Sequence, residues 1–373
     1  MTVTAFIFLG WPAAAPPSAL EQWVNGGRLA AAEDTLAQLR RCGVEQVVIA
    51  TNAPALAAAH SAWPAAWVVD PPEPFHFGER LVDLLAAHPA DVYAYFGAGG
   101  APLVADAVVA QALAEVGAAR GPAAVANNAL SSDWLVFNCP DALRARVGRV
   151  GRDNMLAPVL RREAGVPVRG LPASAAARAD LDTPADLAAL SLHPDCPPAL
   201  AAYLAAQPGP PGLRARWAAA RQVLQTPEAR VTLIGRVAAA TWSEVERRTR
   251  CWVRVLSEER GMTASGRLAA GRVRSLTAAH LLRIGPPAFC AELAEMAEAV
   301  FFDTRVALAH AGQWPAAADR FASDAGQAEL IQTGWLRELT AAVAAAPIPI
   351  LLGGHGVVTG DLYALLESGA EPG

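Results

Sequence analysis

Two carboxylates stand one residue apart near the middle of the 373-residue chain, Asp180 and Asp182, inside the run Ala179-Asp180-Leu181-Asp182-Thr183-Pro184-Ala185-Asp186-Leu187. Read as a strand end passing into a helix start, this run projects alternate side chains to one side. Both carboxylates then face the carboxyl edge of a sheet, where open α/β sheets bind ligands. The alternative is a solvated strand end that binds nothing. Thr183 as N-cap, Pro184 at the first helical position and Asp186 beside the positive end of the helix dipole need no function to explain them.

Other polar residues fall at the ends of apolar runs. Asn52 and Asp70 each follow a short strand pattern, where such residues also serve as turn formers. Gly97, Gly99 and Gly100 make a loop that permits close backbone approach to a ligand, or simply a tight turn. Asn127, Asn128 and Asp133 lie in a polar stretch between two apolar runs, readable as a substrate-side loop or as an Asx turn. In the second half, four strand patterns each end in polar groups, bringing Arg236, Glu258, Asp303, Arg305, Gly354 and His355 to one edge if the strands are parallel, with His310 between the last two strands. The arginines, with Arg260, suit a phosphate or carboxylate through their forked donors. Buried Arg–Glu and Arg–Asp pairs among Glu258, Glu259 and Asp303 would explain the same residues.

The elements that must position these groups alternate. Strand patterns at 4–9, 47–50, 66–69 and 92–96 are separated by helical periodicity at 29–41, 78–87 and 105–116. Such alternation predicts an α/β fold, a mostly parallel doubly wound sheet of Rossmann-like kind. Proline density rises over 193–230 while strand signals vanish, so the reading divides the chain into a domain at 1–192, a Pro-rich linker with short helices at 193–230, and a second, smaller α/β domain at 231–373. Strands are expected there at 231–234, 251–256, 300–302 and 348–352.

Composition narrows the function classes. Hydrophobic residues make up 53% and charged residues 17% of the chain, which suits a well-buried globular protein. Apolar runs are too short for a membrane span, and the N-terminal stretch reads as a buried strand instead of a signal peptide. Net charge is −5, with no basic cluster that would neutralise a nucleic-acid backbone. Five scattered cysteines without a Cys-x-x-Cys pair predict reduced thiols and a cytoplasmic location. All 30 basic residues are arginine, because the sequence contains no lysine. Chemistry that requires a lysine is therefore excluded.

The segments Gly26-Gly27-Arg28-Leu29, Cys42 to Ile49, Gly99-Gly100-Ala101-Pro102-Leu103 and Asp180-Leu181-Asp182-Thr183-Pro184-Ala185-Asp186-Leu187 together resemble the GT-A-type nucleotidyltransferases, most closely the molybdenum cofactor and 2-phospholactate guanylyltransferases. The resemblance covers residues 1–192, and its most specific part is the final Asp-x-Asp-Thr-Pro-x-Asp-Leu. It implies a nucleoside triphosphate and a small phosphorylated molecule as partners. The chain departs from the family where Gly10-Trp11-Pro12-Ala13 replaces a glycine-rich phosphate loop, where Pro17-Ser18-Ala19-Leu20 replaces a lysine segment, and where Gly100-Ala101 lacks a metal-binding aspartate. Asp180 and Asp182 remain as oxygen ligands suited to Mg²⁺. Gly10 and Arg28, the latter as substitute cation, would stand near the phosphates. Gly97, Gly99 and Gly100 would admit the base or sugar, with Asn52 and Asp70 at the same edge. Asn127, Asn128 and Asp133 would meet the acceptor.

Two functions follow. One is nucleotidyl transfer with Mg²⁺; the other is a degenerate nucleotidyltransferase fold used for binding or assembly, with a small-anion site in the C-terminal half. Retention of Asp180 and Asp182 favours the first, and the missing glycines, lysine and aspartate favour the second.

Overall fold

The structure is a computed structural model and describes residues 1–11, 17–70, 75–312 and 314–369. Among these residues, eleven strands form two sheets. β1 (Val3–Phe8), β2 (Gln46–Thr51), β3 (Ala66–Val69), β4 (Val92–Gly97), β5 (Ala124–Ala126), β6 (Trp134–Phe137) and β7 (Val168–Gly170) make a seven-stranded sheet in the order β3-β2-β1-β4-β6-β5-β7. Its pairs are parallel except where β6 runs against β4 and β5. β8 (Arg230–Gly235), β9 (Trp252–Ser257), β10 (Ala299–Asp303) and β11 (Ile350–Gly353) form a parallel four-stranded sheet in the order β11-β10-β8-β9. The expected α/β class, mostly parallel and followed by a smaller second sheet, is what the chain adopts.

The helix after β1 begins earlier than its periodicity suggested. It spans Ala19–Arg41 and passes straight through Gly26 and Gly27. Its start is set by a capping box: Ser18 Oγ accepts from the Glu21 N–H at 3.3 Å, and the Glu21 carboxylate accepts from the Ser18 N–H at 2.9 Å. The glycines survive inside a helix because tertiary packing needs their missing side chains. A Cβ at Gly26 would stand 2.4 Å from the Tyr203 hydroxyl oxygen, and one at Gly27 would stand 2.6 Å from a Leu187 methyl.

Ala179–Asp182 is not a strand end. The preceding residues form a short helix, Ala175–Arg178, and the chain then crosses in a loop to the helix Pro184–Leu190. Ala179 offers its carbonyl to the Ala101 N–H at 3.0 Å, fastening that loop to the glycine loop after β4 instead of to a ladder. Asp180 and Asp182 are therefore placed by a loop between two helices. An alanine-rich, unbranched run favours helix over strand here.

Every residue of Pro184–Leu190 is buried. Leu187, Leu190 and Ala185 belong to the same hydrophobic cluster as Leu233, Phe301 and Leu352 of the second sheet, together with Trp23, Leu200 and Trp217. The helices Pro198–Ala206 and Leu213–Leu224 pack into that cluster too. The helix after the aspartate loop and the start of the helix Ala19–Arg41 thus pack in the core of the second sheet, while the strands of the first sheet pack in two separate clusters.

Candidate active site

A pocket of about 500 Å³ opens at the carboxyl ends of β1, β2, β3 and β4. β1 is the strand from which the order turns both ways, so the crevice lies where open α/β sheets place ligands. Phe8, Thr51, Asn52, Asp70 and Gly97 reach it from strand ends, Arg28 from the long helix, and Asp180 and Asp182 from the aspartate loop. Arg152 and Asp153 come from the segment before the helix Leu156–Arg162.

One end of the pocket is acidic. Asp133, Asp153, Asp180 and Asp182 line it together. Burial pushes the half-buried Asp180 carboxyl well above the usual range, and the charges of Asp182, Asp133 and Asp186 push it further. Asp133 rises to about 7, first through burial and then through Asp153 and Asp182, against the lowering effect of Asn127. Burial likewise raises Asp153, which accepts the Tyr95 hydroxyl at 3.2 Å. The Asp182 carboxylate is exposed and has no hydrogen-bond or ion-pair partner among the described residues. No group of three or more His, Cys, Asp and Glu side chains among those residues is arranged to hold a metal ion by itself. Any cation there would draw on one or two carboxylates and on ligand oxygens.

Arg28 and Arg152 line the same pocket with no carboxylate partner among the described residues. Arg28 Nε donates to the Ala98 carbonyl at 3.3 Å, which holds it over the glycine loop. The wall that adjoins the acidic end through Tyr95 is aromatic. Phe8, Phe77 and Tyr95 form a triangle with ring centroids 5.1–5.3 Å apart, and the exposed Phe75 stands beside them.

The remaining expected residues divide by what they bind within the chain. Asn52 Oδ1 accepts from the Trp11 N–H and its amide donates to the Trp11 carbonyl, both at 2.7 Å. This closes the start of the loop after β1, beside Gly10, which lines the pocket. Pro12 and Ala13 lie outside the described residues. Asp70 is buried and receives Arg80 Nε at 2.6 Å, while burial holds its carboxyl above the usual range.

Gly97 and Gly100 line the pocket, whereas Gly99 supports it from behind. Gly99 has φ +91°, and a Cβ there would stand 2.7 Å from the Leu181 Cβ, so only glycine lets the two loops meet. Asn127 is fully buried and serves Asp133 as a hydrogen-bond partner. Asn128 makes an Asx turn to the Leu130 N–H at 3.0 Å and does not line the pocket.

At the second sheet, Arg236, Asp303, Arg305, Gly354 and His355 gather at one edge, but most of their donors are used. Arg236 binds Asp303 with Nε at 2.6 Å and Nη2 at 3.0 Å. Arg305 binds Asp324 with its two terminal nitrogens at 3.0 and 2.5 Å. Burial opposes the Asp303 charge, yet Arg236, His355 and Arg305 outweigh it and hold its carboxyl below the usual range. His355 lies 3.3 Å from the Arg236 carbonyl and is driven down to about 4, by burial and then by Arg236. Glu258 and His310 meet instead at Ser275, which donates Oγ–H to Glu258 at 2.5 Å and N–H to His310 Nδ1 at 3.0 Å. Gly354 packs against Thr183 and Arg305.

Sequence reasoning missed the aromatic wall, Arg152 and Asp153. The wall had a signal, because Phe6 and Phe8 on one strand and Tyr93 and Tyr95 on another repeat with period two and so share a face. Arg152-Asp153-Asn154 reads only as a helix lead-in, and nothing local ties it to Tyr95, 58 residues from Asp153.

The chain matches no protein-family profile and no curated protein. Among solved structures it is similar to a cytidylyltransferase from Leptospira borgpetersenii, at 13% identity and TM-score 0.41, covering 56% of this chain and 95% of that one. A nucleotidyl transferase from Methanothermobacter is similar at 19% identity and TM-score 0.34, covering 46% and 86%. A CMP:2-keto-3-deoxy-manno-octonic acid synthetase complexed with CTP is similar at 12% identity and TM-score 0.33, covering 46% and 89%. None of the described helices is long and apolar enough to cross a membrane.

Proposed function

We propose that the chain transfers a nucleotidyl group from a nucleoside triphosphate to a small phosphorylated molecule, in a reaction assisted by Mg²⁺. The observation that supports this most is the polarity of one pocket. An aromatic wall suited to a base adjoins four carboxylates, and two arginines without carboxylate partners among the described residues, suited to a metal-bound polyphosphate, line the same pocket. The donor set fits Mg²⁺, which is commonly held by one or two carboxylates with substrate phosphates completing its shell. Asp180 and Asp182 would hold it, and when bound it neutralises charge that develops on the phosphates.

This chain's own residues do the rest. Phe8, Phe77 and Tyr95 exclude water around the base, Arg28 and Arg152 orient phosphate oxygens, and Gly97 and Gly100 let the backbone approach the sugar. Asn127 fixes Asp133 at the side where an acceptor phosphate would attack the α-phosphorus and pyrophosphate would leave. The test is thermal stability with each nucleoside triphosphate, with and without Mg²⁺. A ligand at 100 times its Kd adds about 2.7 kcal/mol, and the reading expects such a gain only with nucleotide and Mg²⁺ together. No gain with any nucleotide contradicts it.

The second reading, a binding or assembly module, draws on two side chains. Asn52 and Asp70 are already bonded to Trp11 and Arg80. Under that reading nucleotide binds but no pyrophosphate is released with any acceptor.

A further inference from the structure

The aspartate loop lies on the segment 353–367, which runs from the end of β11 through the helix Gly360–Glu367. A Cβ at Gly360 would stand 2.5 Å from the Ala179 Cα, and one at Gly353 would stand 3.0 Å from the Ala185 Cβ, so this segment meets the loop at both its ends. Glu367 Oε1 accepts the Ala175 N–H at 3.0 Å and ties down the short helix before the loop as well. Residues 360–366 are all buried.

Two carboxyl groups face each other in that contact. Asp186 Oδ2 accepts the Asp182 N–H at 2.8 Å and the Thr183 N–H at 2.6 Å, so it fixes the backbone of a residue proposed to hold Mg²⁺. Its other oxygen turns toward the second sheet. A Cβ at Gly356 would stand 2.5 Å from Asp186 Oδ1 and 2.7 Å from Asp361 Oδ2, and the two carboxyls hydrogen-bond each other beside that glycine. Asp186 is 3% exposed and Asp361 1%, and Asp361 Oδ2 receives no other hydrogen bond among the described residues. Two ionised carboxylates would repel here. Burial raises both above the usual range, and the pair holds one proton between its facing oxygens. Burying a second acid against a helix cap costs stability, which an apolar or amide side chain would avoid if the contact were only structural. Neither carboxyl lines the nucleotide pocket.

We propose that Asp361 is a positioning residue for the metal site: it holds Asp186, Asp186 holds the Asp182 backbone, and the helix after the second sheet thereby sets how the pocket of the first sheet receives Mg²⁺. The metal in this proposal rests on the nucleotidyl-transfer reading, whereas the contacts from Asp361 to Asp182 do not.

The test is calorimetric titration of the full chain, with and without Mg²⁺, by whichever of ATP, CTP, GTP and UTP binds most tightly, with circular dichroism as the check on folding. The native chain should gain at least tenfold in affinity from Mg²⁺. Asp361→Ala removes the contact, and Gly356→Ala keeps both carboxyls but places a methyl between them. Each should cut the gain to below about threefold while leaving metal-free affinity unchanged. Asp361→Asn, whose amide can donate to Asp186 or accept from it, should keep the gain within about twofold of native. Leu365→Ala removes a buried side chain from the same helix, so it lowers stability but should keep the gain too. A full gain in Asp361→Ala or Gly356→Ala overturns the proposal, as does a lost gain in Asp361→Asn or Leu365→Ala. Amide exchange gives a result that needs no variant: the Asp182 and Thr183 N–H groups of the native chain should exchange at least tenfold more slowly than those of an open loop. Free exchange there overturns the proposal by itself. No gain from Mg²⁺ in the native chain means that the nucleotidyl-transfer reading has failed and the proposal with it; a native gain matched by Asp361→Ala means that the proposal alone has failed.

Discussion

Asn127 holds Asp133 through both ends of its amide: Nδ2 donates to the Asp133 carboxylate at 2.6 Å, and Oδ1 accepts from the Asp133 N–H at 2.9 Å. Oδ1 also accepts from the Trp134 N–H at 3.2 Å, so the amide fastens the start of β6 as well. Replacing Asn127 by Leu leaves the half-buried Asp133 carboxylate and N–H and the buried Trp134 N–H short of partners. Unsatisfied buried groups cost roughly 1–3 kcal/mol each. The variant should lose about 3 kcal/mol in urea denaturation; a loss below 1 kcal/mol would mean that Asp133 is held by other contacts.

The buried pair of Arg236 and Asp303 predicts a marked asymmetry between single and double replacement. Asp303 is fully buried and its partner is 20% exposed. Asp303→Leu strands the Arg236 charge and should cost about 3–5 kcal/mol. Adding Arg236→Met should recover a large part of that loss, because an apolar pair of similar volume replaces an ion pair with little net change. Additive losses in denaturant midpoints would show that the two side chains act independently.

His355 predicts a specific acid sensitivity. Its folded value of about 4 lies below the ordinary 6.5, so between those values the unfolded chain binds a proton that the folded chain does not. The His355 contribution to stability therefore rises with pH through this window and is lost as pH falls from about 6.5 toward 4, by at most ~1.4 kcal/mol per pH unit for one proton. Asp133 and Asp361, each raised to about 7 chiefly by burial, contribute with the opposite sign. Asp303 adds to the acid loss at lower pH, since its folded value is depressed. His355→Gln should make the slope of stability against pH between 4 and 6.5 less positive than in the native chain. An unchanged slope would mean that the imidazole titrates normally.

Separating the halves after residue 192 tests how far the sheets depend on each other. Leu187 and Leu190 are fully buried in the cluster that includes the second sheet, and each such side chain contributes about 2 kcal/mol by burial. The fragment 1–192 should unfold without a sharp transition or aggregate, and adding 193–373 should restore cooperativity. A cooperative transition by 1–192 alone would support an independent first domain with a linker at 193–230.

The strands of the first sheet were legible because each is a short apolar run closed by Gly, Asn or Asp: Phe8, Thr51, Val69 and Gly97 all end where such residues follow. β5 and β7 are three residues each, too short for period-two alternation to register. Gly26 and Gly27 read as a break because propensity disfavours glycine in helices, whereas contact with Tyr203 and Leu187 demands it. The aspartate loop was found as chemistry but misread as a strand end. At the second sheet the charged residues were located, but only the structure assigns Asp324 to Arg305 and Ser275 to Glu258 and His310. Partners 19 and 17 residues apart leave no local spacing rule.

The role of the acidic end of the pocket is tested by calorimetric titration of a nucleoside triphosphate with Mg²⁺ into the native chain and into Asp180→Asn/Asp182→Asn. Both proteins should fold alike, because Asp180 is half-buried and Asp182 exposed on a loop. Mg²⁺ should strengthen nucleotide binding by the native chain at least tenfold, about 1.4 kcal/mol, and the double variant should lose this enhancement while retaining the weaker metal-free binding. Equal enhancement by Mg²⁺ in both proteins would show that Asp180 and Asp182 hold no metal and are only loop residues.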